Sequence, residues 1–102
     1  MHILNRETIE ALLNGVDLSF LISKGFIAYS SGQVVVPPIG ELTFKDPPGD
    51  VHIKYGYIKG DKYYVIKIAS GFWENEKHGI PNGQGMMLLF NQNTGAPEAL
   101  LH

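Results

Sequence analysis

Two extended runs, residues 50–58 and 62–70, flank the three residues Lys59-Gly60-Asp61. Both are rich in β-branched and aromatic side chains. A short, glycine-containing link between two such runs predicts an antiparallel hairpin. That pairing constrains the chain most, because it puts a β-sheet at its centre. Each run is broken by a lysine. Lys67 interrupts Tyr63-Tyr64-Val65-Ile66-Lys67-Ile68-Ala69, and Lys54 interrupts His52-Ile53-Lys54-Tyr55-Gly56. Strands this apolar normally belong to a covered sheet, where an unpartnered ammonium is costly. Two such lysines on neighbouring strands point to a site for something anionic.

The remaining elements follow from period and punctuation. Ile3 and Leu4 read as a short opening strand. Asn5 is a good N-cap for a helix to Asn14, with Ile9, Leu12 and Leu13 at helical spacing and Gly15 closing it. Asp17 caps a second helix, to about Ser30, whose apolar face is Leu18, Leu21, Ile22, Phe26 and Ile27. Beyond Ser31-Gly32 the period changes from helical to extended. Residues 34–36 form a strand stopped by Pro37-Pro38, residues 39–45 a further short strand, and residues 46–50 a turn-rich loop. Residues 72–84 read as a loop, 86–91 as a strand, 92–95 as a turn and 97–101 as the last strand. The expected fold is α+β: two N-terminal helices packed on a mainly antiparallel sheet of about five to six strands. Residues 1–102 are expected to form one domain.

Composition narrows the function classes. Hydrophobic residues make up 44% and charged residues 18% of the chain, so a folded core is expected. A formal net charge of −2 gives no basic footprint, which argues against nucleic acid and acidic membrane as partners. The apolar runs fall short of the roughly 20 residues a bilayer span needs. No cysteine is present, which excludes a disulfide framework and a thiolate metal site. The four histidines (His2, His52, His78 and His102) show no metal-ligand spacing among themselves, and no metal is expected. The opening residues lack a basic segment followed by an apolar one, so a cytoplasmic location is expected. Ala99-Leu100-Leu101-His102 ends inside an apolar strand, from which we expect the chain to be part of something longer.

Several residues carry chemistry under one reading and none under another. Lys67 shares a strand face with Tyr63, Val65 and Ala69. It is either a lysine that snorkels to water, or a desolvated ammonium that pairs with a carboxylate or does acid–base work. Lys54 shares its face with His52, Gly56 and Ile58, and Gly56 marks a bulge or a close approach by a ligand. Directly opposite one another, the two lysines would repel without an anion between them; a shifted register would separate them. Glu41 and Asp50 are the carboxylates nearest to them in sequence. The loop Gly79-Ile80-Pro81-Asn82-Gly83-Gln84-Gly85 lacks the spacing and the following helix of a nucleotide-binding loop. Phe72 and Trp73 read as a core edge or an interface, and His78 as a solvated surface residue.

Taken in order, residues 34–38, His52-Ile53-Lys54-Tyr55-Gly56, Val65-Ile66-Lys67, Asn75, Gly79-Ile80-Pro81 and Asn93-Thr94-Gly95-Ala96-Pro97 resemble the ornithine cyclodeaminase and mu-crystallin family over nearly the whole chain. The resemblance implies an NAD(P)-dependent enzyme acting on small amino acids or cyclic imines, by cyclising deamination or amino-acid dehydrogenase chemistry. It also implies an N-terminal substrate domain whose sheet pairs with its twin in a homodimer, followed by a Rossmann domain. Lys67 matches the family's lysine that contacts the substrate carboxylate and assists the chemistry. Asn82 falls near a pocket-lining threonine of several members, and Lys54 near a pocket-lining segment that elsewhere reads Met-Pro. An arginine that usually binds the carboxylate is missing from Pro38-Ile39-Gly40-Glu41, and Lys54 is expected to supply the lost charge. The family's threonine-arginine motif and dinucleotide domain are absent from residues 1–102. This stretch alone is therefore expected to hold no cofactor and to lack activity, with NAD(P) belonging to full-length members. The alternative is a stand-alone module that binds a small carboxylate, or dimerises, without catalysis.

Overall fold

The computed structural model describes residues 1–102. The elements run β1 (His2–Leu4), α1 (Arg6–Leu13), α2 (Leu18–Ser30), β2 (Val34–Val35), β3 (Gly40–Lys45), β4 (Pro48–Ile58), β5 (Tyr63–Phe72), a 3-10 turn (Asn75–His78), β6 (Gly83–Asn91) and β7 (Pro97–Leu101). The fold is α+β, as the periodicity predicts. All strands join one sheet of seven, more than the expected five to six.

The sheet order is β1-β7-β6-β5-β4-β2, with β3 also paired to β4. β4 is long enough to hold two neighbours on one edge. Its first half pairs with β3, from Lys45↔Pro48 to Gly40↔Ile53, and its last residues pair with β2 through Val35↔Tyr57 and Val34↔Ile58. Every pairing is antiparallel except β1 with β7, which is parallel.

Both predicted helix starts are capped by side chains. Asn5 Oδ1 accepts from the Thr8 amide at 2.9 Å, and Asp17 Oδ1 from the Phe20 amide at 3.0 Å. Each satisfies an amide that the helix itself leaves orphaned. Gly15, at φ 83°, takes the left-handed conformation that ends α1. The two helices lie at 92° to one another, and neither is long and apolar enough to cross a membrane.

Two expectations change. Residues 72–84 are not all loop: Phe72 still belongs to β5, and β6 already begins at Gly83, because Gly71↔Gly83 and Ser70↔Gln84 continue the ladder. Ladder bonds are made by backbone, so polar and glycine positions extend a strand that side-chain patterning ends early. The helices, moreover, are not packed tightly on the sheet. Phe26 is 69% and Ile27 68% exposed, and only Gly49 and Ala99 are buried in the whole chain. Apolar surface is left open on the helices and on the sheet alike. One sheet face carries Ile53, Tyr55, Tyr57, Tyr64, Ile66, Ile68, Leu88 and Phe90; the other carries Val65, Met87 and Leu89 beside the lysines. Two short helices cannot cover both.

Gly56 has a definite task. A Cβ there would meet the Val35 carbonyl oxygen at 2.6 Å and Val36 Cγ2 at 3.3 Å. The close approach at this glycine is made by β2 and the residue after it, not by a ligand as the sequence suggests.

Candidate functional site

The β4–β5 register sets Lys54 directly opposite Lys67, with Met87 of β6 opposite Lys67 on the other side. Directly paired residues point to the same face, with Cβ atoms about 4.5–5.5 Å apart. The two ammoniums thus share one patch of the sheet. Neither has a carboxylate within ion-pairing distance. Both side chains are exposed, which for Lys67 corresponds to the water-reaching one of the two alternatives. The face is apolar but uncovered, and water reaches the charges.

A cavity of about 340 Å³ joins the two lysines to Val34, Val36, Val65 and Met87. Asp61, from the β4–β5 turn, contributes its one carboxylate residue. On the other side of Lys67 a second cavity, about 290 Å³, is bounded by Met87, Leu101 and Ile9 of α1. An ammonium offers three donors and no acceptor. Two of them above an apolar floor suit a carboxylate, whose two oxygens each take a charge-assisted hydrogen bond.

The hairpin that bounds the first cavity is pinned from outside. Gln92, just past β6, donates through Nε2 to the carbonyls of Ile58 at 2.9 Å and Tyr63 at 2.8 Å. One side-chain amide therefore holds both strands where they enter the turn.

Asn82 lies elsewhere. Its Oδ1 accepts from the Glu76 amide at 3.1 Å and its carbonyl from the Phe72 amide at 2.9 Å. Asn75 Nδ2 donates to the Pro81 carbonyl at 3.0 Å, closing the same loop. Phe72 is five positions along β5 from Lys67, roughly 17 Å at strand rise. The structure brings Lys54 and Lys67 together and leaves Asn82 outside the cavity they line.

One cluster escapes a reading by sequence spacing. Glu41 on β3 pairs with His52 on β4, and Asp50 precedes His52 by two on the same face. Nε2 of His52 stands 3.5 Å from Glu41 Oε1 and 3.7 Å from Asp50 Oδ2. Both carboxylates turn to the imidazole rather than to the lysines. The motif Asp50-Val51-His52 hints at this through its i, i+2 spacing, but the third member needs the β3 register. Two further residues behave as expected: Phe72 packs at a core edge against Phe44, with ring centroids 5.4 Å apart, and His78 is exposed.

Comparison with known proteins places the chain as a whole. The chain is 44% identical over 68 residues to an uncharacterized cyclodeaminase, y4tK, of Sinorhizobium fredii (strain NBRC 101917 / NGR234), covering 67% of this chain and 20% of that protein. Among solved structures it superposes on the Δ1-pyrroline-2-carboxylate reductase of Thermococcus litoralis, in complex with NADH and L-proline, with a TM-score of 0.92 and 26% identity, over 99% of this chain and 31% of that one. An archaeal alanine dehydrogenase dimer with bound NAD gives a TM-score of 0.89 at 25% identity, over 99% and 30%. The chain thus spans between a fifth and a third of the length of these relatives. The model of the ornithine cyclodeaminase/mu-crystallin family matches residues 1–102. Matched along every residue, the chain belongs to the ornithine cyclodeaminase/mu-crystallin family.

Proposed function

We propose that this chain is the substrate-binding part of an NAD(P)-dependent enzyme acting on a small amino acid or cyclic imine, and that Lys54 and Lys67 together hold the substrate carboxylate. The observation that carries this reading is the pairing of two ammoniums, directly opposite and without carboxylate partners, over one apolar cavity. Lys67 is the residue to which we assign the catalytic role, next to the reacting carbon. Lys54 stands in for the family arginine that Pro38-Ile39-Gly40-Glu41 lacks. For Asn82 we propose an indirect part, holding the loop after β5 in shape.

Hydride transfer belongs to the bound nicotinamide cofactor. The glycine-rich loop does not fit that group: Gly83-Gln84-Gly85 continues as a strand instead of opening a helix, so this loop offers no helix N-terminus to a pyrophosphate. On its own the chain binds carboxylate without turning it over. A second copy of the chain, covering the face that carries Tyr55, Tyr57, Ile66 and Phe90, completes the unit. The dimeric state of the related alanine dehydrogenase supports that pairing.

Calorimetric titration with L-proline, L-alanine and L-ornithine tests the assignment. Binding of at least one of them is expected, and lost when Lys54 and Lys67 are both replaced by methionine. Absence of any heat or thermal shift with all three would sink the carboxylate reading.

A further inference from the structure

We propose that Glu41, Asp50 and His52 form a binding site for a divalent transition-metal ion of the zinc class. The three side chains come from two neighbouring strands and one face: Glu41 is the direct cross-strand partner of His52, and Asp50 is two residues before it. One donor atom from each lies within 4.8 Å of the others. The two distances from the imidazole, 3.5 and 3.7 Å, are close to what a shared ion requires. Donors bound tetrahedrally at about 2.0–2.1 Å stand about 3.4 Å apart.

Charge and partnering point the same way. Neither carboxylate has a lysine or arginine within ion-pairing distance, although Lys54 follows His52 on the same face. The contacts to His52 are too long for good hydrogen bonds, and the imidazole makes no other. Two carboxylates converge on one imidazole nitrogen, Nε2. That mixed nitrogen and oxygen set suits zinc, cobalt or nickel better than the all-oxygen preference of calcium or magnesium. The side chains are between 31% and 60% exposed, so an ion has access and water can fill the open position. None of the three lines the lysine cavity, so the site stands or falls independently of the carboxylate reading.

Titrating zinc chloride into the protein at neutral pH, followed by calorimetry, tests the site. One ion per chain is expected. Affinity should fall at least about tenfold in His52→Ala and in Glu41→Gln, since even losing a residue that merely orients a ligand costs that much. His78→Ala, outside the cluster, should bind as the parent does. The Glu41→Gln variant keeps size and strand pairing, so it reads the site even if His52→Ala folds poorly. Cobalt(II) should give visible absorption bands that His52→Ala loses. Failure to bind zinc at millimolar ion, or binding unchanged in both cluster variants, would overturn the proposal and leave His52 as a protonated ion-pair partner only.

Discussion

Lys54 faces Lys67 across the β4–β5 ladder with no carboxylate to separate them. Like charges directly opposite on a sheet are destabilising, and solvent keeps the cost of this exposed pair below about 1 kcal/mol. Replacing Lys67 by methionine should therefore leave the protein as stable or slightly more so in a thermal melt. The same change should weaken carboxylate binding by about tenfold to a hundredfold, because hydrogen bonds to charged groups contribute about 1.5–3 kcal/mol. A large drop in melting temperature would instead identify the ammonium as a structural partner.

Salt gives an independent readout of the same pair. Counter-ions screen exposed charges over about 10 Å at 0.1 M ionic strength. Raising salt should stabilise the parent more than Lys67→Met, since only the parent has the repulsion to relieve. Equal salt slopes in the two melting series would show that the pair does not interact.

Gly56→Ala should destabilise the protein by about 1–3 kcal/mol, the usual range for overpacking. The new methyl would meet the Val35 carbonyl oxygen at 2.6 Å, and backbone yields less readily than a side-chain tip. Denaturant melts give the magnitude. Hydrogen exchange gives the place, with protection lost at the β2–β4 pairing before the β4–β5 ladder.

Gln92→Ala removes both side-chain bonds to the hairpin entry. At about 0.5–1.5 kcal/mol net for each, a loss of about 1–3 kcal/mol is expected. Faster amide exchange should be confined to the neighbourhood of Ile58, Asp61 and Tyr63. Uniform acceleration across the sheet would indicate that Gln92 stabilises the whole fold instead.

The open apolar sheet face should draw two copies together. Light scattering behind size-exclusion, across a concentration series, should report a dimer. A clean monomer at every concentration would refute the pairing.

What was legible in the sequence was local. The hairpin at Lys59-Gly60-Asp61, the caps at Asn5 and Asp17, and the turn from helical to extended period all depend on near neighbours. Register depends on distant ones, so the meeting of Lys54 with Lys67 was an open alternative and that of Glu41 with His52 was invisible. Gly56 showed that something comes close there, but not that it is the Val35 backbone. Asn82 sits in a glycine-rich loop whose shape is set by Asn75, Glu76 and Phe72, and no pattern of residue types reveals such a latch. The helices misled most. An apolar face on α2 announces burial without naming what does the burying, and here Phe26 and Ile27 remain in the open.

The parallel pairing of β1 with β7 has a consequence in time. His2–Leu4 meets its partners at Ala99, Leu100 and Leu101, and the amide of His102 donates to the Leu4 carbonyl at 3.0 Å. β1 therefore has no neighbour in the sheet until β7, nearly a hundred residues further on, has been made, a wait of roughly 5–20 s at ordinary synthesis rates. The hairpin of β4 and β5 forms well before that. The topology thus leaves β1 unpaired for longer than any strand between it and β7.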